Sequence, residues 1–285
     1  MRRGRDCARP TGRGFSLVEL AVVMTIVAFL LGSLMYTLSA QVEQRNFEET
    51  RRRLEQAREL ILAFAITNGR LPCPARSAAT AAPVTVPGNE VRTAAADPEC
   101  VGDAVIDNYG GTNGAVTLGL LPARSIGYQQ VDAAGFAIDA WGNRLRYAVA
   151  NLTTPAAACP RPHFTNSTNL RANGITCQPN DLIVCRSATG ILPADCGPAA
   201  NQIMTTSLVV AIIYSTGKNG ATAPDAATAA AAGRTDESAN LNGDRVFVFH
   251  TPTPTGAANG EFDDQFTWIT VGEFSGKLIA AGQLP

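Results

Sequence analysis

The chain has 285 residues, of which 46% are hydrophobic and 16% charged, and its formal net charge is −1. That length allows a sizeable core, and so apolar and weakly charged a composition excludes wholesale disorder. The near-neutral balance speaks against a basic nucleic-acid binder, and two histidines speak against a histidine-rich metal enzyme.

The first fourteen residues, MRRGRDCARPTGRG, set Arg2, Arg3, Arg5, Arg9 and Arg13 against Asp6 alone. Phe15 to Leu38 follows, FSLVELAVVMTIVAFLLGSLMYTL, with Glu19 as its single charge. As a helix rising about 1.5 Å per residue, this stretch reaches roughly 36 Å, enough to span a hydrocarbon core of about 30 Å. Arginines on one flank predict that this side stays cytoplasmic and the rest of the chain lies across the membrane.

Three readings compete for the segment. A secretory signal peptide has a basic start, but its apolar run is about 7–15 residues, shorter than here. A plain anchor explains the length and leaves Glu19 without purpose. An intramembrane carboxylate costs about 2.5–3.5 kcal/mol and asks for a partner, although one near the cytoplasmic end can snorkel to water.

The third reading uses the string Arg13-Gly14-Phe15-Ser16-Leu17-Val18-Glu19. It resembles the prepilin leader motif of type IV pilins and type II secretion pseudopilins. The resemblance implies cleavage between Gly14 and Phe15 by a membrane aspartyl prepilin peptidase, and N-methylation of Phe15. It implies that Glu19 attracts the terminal ammonium of a neighbouring subunit during assembly. The partners implied are other pilin or pseudopilin subunits, the peptidase, an inner-membrane assembly platform and membrane lipid, with no nucleic acid. The implied location is single-pass in the inner membrane with the globular part in the periplasm, then a filament at the cell surface. A leader of fourteen residues is longer than the shortest pilin leaders.

Beyond Leu38 the pattern turns amphipathic. Phe47, Thr50, Leu54, Ala57, Ile61 and Phe64 form one stripe at helical spacing, with Glu48, Arg52, Glu55 and Glu59 on other faces. No proline interrupts from Phe15 to Asn68, and Asn68-Gly69 with Pro72 and Pro74 is a stop signal. The reading is one long helix, apolar over 15–38 and amphipathic over 39–69, between a leader at 1–14 and a globular domain at 70–285. Two helices with a break near Ser39–Gln41 are the alternative.

Cys7 lies in the leader, so the mature chain keeps Cys73, Cys100, Cys159, Cys177, Cys185 and Cys196. An odd count becomes even at the expected cut, which fits an oxidising destination. Six cysteines allow fifteen pairings. Pairing of sequence neighbours is favoured here: Cys73–Cys100, Cys159–Cys177 and Cys185–Cys196. Zinc is the rival, but no C-x2-C pair exists. Removing five arginines and one aspartate from 23 basic and 24 acidic side chains leaves 18 and 23, a mildly acidic surface.

Residues 70–138 read as loops with short elements. Strands are predicted at RLRYAVA (144–150), LIVC (182–185), SLVVAIIYS (207–215), RVFVFH (245–250) and FTWITV (266–271). Residues 220–244, rich in Ala and Thr, read as a mobile spacer. The expected fold is α+β: a long N-terminal helix packed against an antiparallel sheet, pilin-like, with disulfide-closed loops.

Two further strings extend the resemblance. Asp139-Ala140-Trp141-Gly142-Asn143 resembles the D-P-W-G-N segment before a strand in major pseudopilins, with Ala140 in place of the proline; the segment also reads plainly as a turn before a strand with Trp141 as a core anchor, and the two readings hold together. Ser215-Thr216-Gly217-Lys218-Asn219-Gly220, with Asp263-Asp264 later, is similar to the turn and acidic pair that bind calcium in major pseudopilins. The candidate ligands are Ser215, Asn219, Asp263 and Asp264, although Lys218 and Asn219 stand where acids are expected. No cofactor besides this structural calcium is expected. Adjacent Asp263 and Asp264 would point oppositely on an extended strand, a poor acid–base pair. His163 and His250 are isolated, so no enzyme is expected.

The reading is a minor pilin or pseudopilin subunit of a type IV pilus or type II secretion filament. Its rivals are a secreted, disulfide-bonded binding protein with an atypical Sec signal peptide, and a membrane-anchored periplasmic enzyme.

Overall fold

The computed structural model describes residues 16–77, 86–94, 97–100, 111–113, 116–152 and 159–284. The expected leader and cleavage site, Gly14 and Phe15, lie outside them. The chain divides into two compact units, Met1–Arg45 and Asn46–Pro285.

One helix, α1 (Leu17–Asn68), belongs in part to each unit. Ser16 starts it: its carbonyl accepts from Leu20 N (3.1 Å) and its Oγ from Val18 N (3.3 Å), a capping arrangement. Uninterrupted helix-forming residues carry it to Gly69, whose φ of +67° ends it in the left-handed region. The helix does not break near Ser39–Gln41.

In the second unit the predicted stripe faces inward. Thr50, Leu54, Ala57 and Ile61 are buried, Phe47 and Phe64 half-buried. Leu54, Ala57 and Ile61 share one core with Tyr147, Val149, Ile212, Tyr214 and Ile269. Polar side chains fix the helix along its flanks. Arg53 Nη1 donates to the carbonyl of Asp139 (2.6 Å), Arg58 Nε donates to that of Trp268 (3.1 Å), and Ala140 N donates to Thr50 Oγ1 (3.1 Å).

After α1 come two short antiparallel pairs, β1 (Arg92–Ala94) with β2 (Asp97–Cys100) and β3 (Gly111–Asn113) with β4 (Val116–Leu118). Then follow α2 (Ala123–Ile126), β5 (Arg146–Val149), α3 (Ser167–Asn173), β6 (Ile183–Cys185), β7 (Gln202–Met204) and β8 (Val209–Ser215). The chain continues with α4 (Ala226–Ala231), α5 (Thr235–Leu241), β9 (Val246–Val248), β10 (Gln265–Thr270) and α6 (Val271–Ala280). The main sheet has the order β10-β8-β5 and is antiparallel throughout. All seven residues of β8 are buried, as its β-branched run demands of a central strand. The fold is therefore α+β.

Three expectations are corrected. The strand at 245–250 does not join the main antiparallel sheet: β9 pairs parallel with β6, which pairs antiparallel with β7 in a second sheet. A parallel pair needs a long crossover, and the chain between β6 and β9 supplies it. Residues 220–244 are not a featureless spacer. Alanine favours helix, and Asp225 caps α4 by accepting from Thr228 N (2.9 Å). Val271 belongs to α6 rather than to a strand, because Thr270 Oγ1 accepts from Glu273 N (3.3 Å) at the start of a Thr-x-x-Glu sequence.

Three disulfides join sequence neighbours: Cys73–Cys100, Cys159–Cys177 and Cys185–Cys196. Near the first, Arg70 donates twice to Glu90 (2.8 and 2.7 Å), and Glu90 also accepts from Cys73 N (3.0 Å).

Candidate functional site

In the first unit, Glu19 sits exposed in the first turn of α1, where the helix dipole favours an acid. Around it the described side chains are mostly apolar and exposed, from Val27 at 43% to Leu17 at 86%. Among the described residues no helix is long and apolar enough to cross a membrane. The span expected over 15–38 falls partly outside them, at Phe15 and at the side chains of 33–39.

In the second unit, two turns are knotted together beside the main sheet. Asp139 Oδ1 accepts from Trp141 N (2.9 Å) and Asn143 N (2.8 Å), closing the 139–143 turn. Asp139 Oδ2 accepts from Ser215 Oγ (2.6 Å), and Asn143 Nδ2 donates to the carbonyl of Gly217 (2.6 Å). Trp141 is not a core anchor: it is half-buried, edge-on to Phe47 of α1 at 4.9 Å.

Next to these turns lies a cluster of acids. The carboxylates of Glu237, Asp263 and Asp264 are buried and offer oxygens within 4.8 Å of one another. The two aspartates therefore do not point apart, because they lie in the loop before β10 and not on an extended strand. Glu237 Oε1 accepts from Asn219 Nδ2 (2.8 Å) and Asp263 N (3.1 Å), while Asp264 Oδ2 accepts from Asn240 Nδ2 (2.8 Å). Arg234 Nε approaches Glu237 Oε2 at 3.5 Å. Burial pushes the Asp263 carboxyl up to about 7, and the negative charge of Glu237 adds to it. Burial and then Glu237 drive Asp264 well above the carboxylate range, and burial raises Glu237 as well.

The calcium implied by the resemblance can be tested against these residues. Calcium takes six to eight oxygens, and three carboxylates supply charge and ligands for a hard cation. Asp263 Oδ1 is buried and, among the described residues, has no hydrogen-bond donor, an acceptor that a cation would satisfy. Glu237, Asp263 and Asp264 fit. Ser215 does not, because its hydroxyl proton goes to Asp139 and its oxygen accepts from Gly217 N (3.1 Å). Asn219 supports the cluster as a donor, through its side-chain amide to Glu237 and its backbone N–H to Asp263 Oδ2 (3.3 Å).

Residues 10–35 match the family model for the prokaryotic N-terminal methylation motif. The chain is type IV pilin- or pseudopilin-like. No curated protein and no solved structure matches it. The match places Gly14, Phe15 and Glu19 of this pilin-like chain inside the motif and leaves the globular unit to its own geometry. There the sequence reading missed Glu237. Its signal is weak, an Asp-Glu pair in the first turn of α5, inside a stretch dominated by Ala and Thr. Of the histidines, His163 is buried against Phe164, and His250 Nε2 lies 3.1 Å from Asp236 Oδ2.

Proposed function

We propose that this chain is a structural subunit, a minor pilin or pseudopilin, of a type IV pilus or type II secretion filament. Prepilin peptidase cuts after Gly14 and Phe15 is N-methylated. The subunit waits in the inner membrane through its apolar helix, with the globular unit in the periplasm, and an inner-membrane platform then draws it into the filament. One observation carries the reading: the methylation motif at 10–35 opens a helix whose residues 17–31 are exposed and carry one charge, Glu19.

The physics supports each step. So large an apolar surface is not left in water, and lipid or neighbouring helices cover it. A carboxylate in that environment gains strongly from a single cation, and the freed N-terminus of an adjacent subunit is one. The three disulfides suit an oxidising periplasm.

Mass spectrometry of the native protein tests the reading. A methylated start at Phe15 supports it. Retention of the arginine-rich prefix, or a start beyond residue 38, overturns it; the second outcome instead favours a secreted protein with a Sec signal.

A further inference from the structure

We propose that His250 is a proton-operated latch: as an imidazolium it pins Asp236, and Asp236 holds the base of the Cys185–Cys196 loop against α5, so that loss of the ring proton frees that base. The inference does not rest on the filament reading, because it concerns the globular unit alone.

The ring lies just past β9, and both of its nitrogens meet oxygens. Nδ1 is 2.7 Å from the carbonyl of Thr251, and Nε2 is 3.1 Å from Asp236 Oδ2. A carbonyl oxygen and a carboxylate only accept, whereas a neutral imidazole has a single N–H. In either neutral tautomer one ring lone pair would face an oxygen lone pair. The doubly protonated ring donates to both. Phe262 stacks against it, centroids 4.0 Å apart and planes 28° from parallel, and so holds the ring in this plane.

Asp236 is the hub that the latch secures. It is 5% exposed, in the first turn of α5. Its Oδ1 accepts from Ala188 N (2.6 Å) and from Asn259 Nδ2 (3.0 Å), and the same amide donates to Ser187 Oγ (2.6 Å). One carboxylate thus gathers α5, the loop after β6 and the loop before β10. The loop after β6 is closed by Cys185–Cys196. It turns back at Leu192, which exchanges backbone hydrogen bonds with Asp195 (2.8 and 3.2 Å) and is 58% exposed. The disulfide joins the two ends of this loop, and Asp236 with Asn259 fixes the side that runs through Ser187 and Ala188.

Among the described residues Asp236 is the charged group that meets His250. Glu237, next on α5, turns away to Asn219 and Asp263. Deprotonation of the ring removes the ion pair and leaves a buried carboxylate against a lone pair, a costly contact. Imidazole changes its charge between about pH 5 and 8. The closed latch binds one proton more than the open one, so it holds at the acid end of this range and lets go as pH rises. The sign is opposite to that of His163, where burial favours the neutral ring.

The test is hydrogen exchange on the full chain in detergent at pH 5.5 and 8.0, corrected for the intrinsic pH dependence of exchange. Protection of residues 186–189 should be at least tenfold greater at pH 5.5 in the wild type, and His250→Gln should abolish that difference. Asp263, pushed up to about 7, also ionises in this range, but its contribution persists in the variant and is subtracted. An equal pH dependence in wild type and His250→Gln would overturn the proposal. If the variant does not fold, nitrogen NMR of the wild type decides, since the chain has only two histidines. Protection of 186–189 that falls as the His250 ring loses its proton sustains the latch, and protection that stays constant through that change refutes it.

Discussion

Ser215 donates its hydroxyl proton to Asp139 across 2.6 Å, joining two turns that lie 76 residues apart in sequence. The acceptor is 1% exposed and also takes the backbone N–H groups of Trp141 and Asn143. Burial raises its carboxyl above the ordinary value, and these three donors hold it back. Asp139→Ala leaves all three donors unpaired and should cost about 3–5 kcal/mol. Asp139→Asn keeps an acceptor and should cost less. Urea unfolding of the two variants checks the order; equal losses would remove the hydrogen-bond explanation.

Ile61 is fully buried at the centre of the α1 stripe. Ile61→Ala should destabilise by about 2–5 kcal/mol through lost burial and a residual cavity. Gln56→Ala, on the exposed face, should stay within about 0.5 kcal/mol. The denaturation midpoints of the pair test whether α1 is integral to the globular core.

Glu90 titrates below the ordinary glutamate range. Burial alone would raise it, but the two bonds from Arg70, with Cys73 N, outweigh that. With the folded pKa below the unfolded one, this stabilisation is present above about pH 4.5 and is lost as pH falls through the folded value. Arg70→Met should lower stability at pH 7 and flatten this acid limb. Stability curves of both proteins from pH 7 downward would show it.

His163 titrates in a different window. Burial pushes its imidazole below 6.5. The neutral ring is therefore the one that fits, so its contribution is whole above about pH 6.5 and is lost as pH drops toward the lower folded value. His163→Leu should remove the part of the pH dependence just below 6.5 and leave the Glu90 limb in place. Unfolding at closely spaced pH values separates the two.

On the proposed filament role, Glu19→Ala and Glu19→Gln should both insert and accumulate normally yet enter sheared filaments poorly, because each removes the charge proposed to attract a neighbour's terminus. Filament content normalised to membrane content is the measurement. Full incorporation of Glu19→Gln would rule out the ion-pair role.

The long helix was legible because its stripe keeps one period for five turns, and the β8 strand because nothing but a buried strand accommodates VVAIIYS. The pairing of neighbouring cysteines agrees with the one favoured among fifteen, although no local signal in the sequence fixes it. What the sequence concealed was decided by distant contacts. The parallel pairing of β6 with β9 depends on a crossover that no local signal announces. The helices of 220–244 hid in an Ala and Thr tract whose anchors, Asn240 and Glu237, become meaningful only once Tyr214 and Asp263 are beside them. The orientation of Asp263 and Asp264 was misjudged because strand geometry was assumed where the chain forms a loop.

Arg53 and Arg58 hold the rear portion of α1 by gripping main-chain carbonyls at Asp139 and Trp268, while Ala140 N reaches back to Thr50. Tension travelling down the rod would load these fastenings side by side, in shear, instead of peeling them one after another. The globular body would then follow a pulled helix as a single piece.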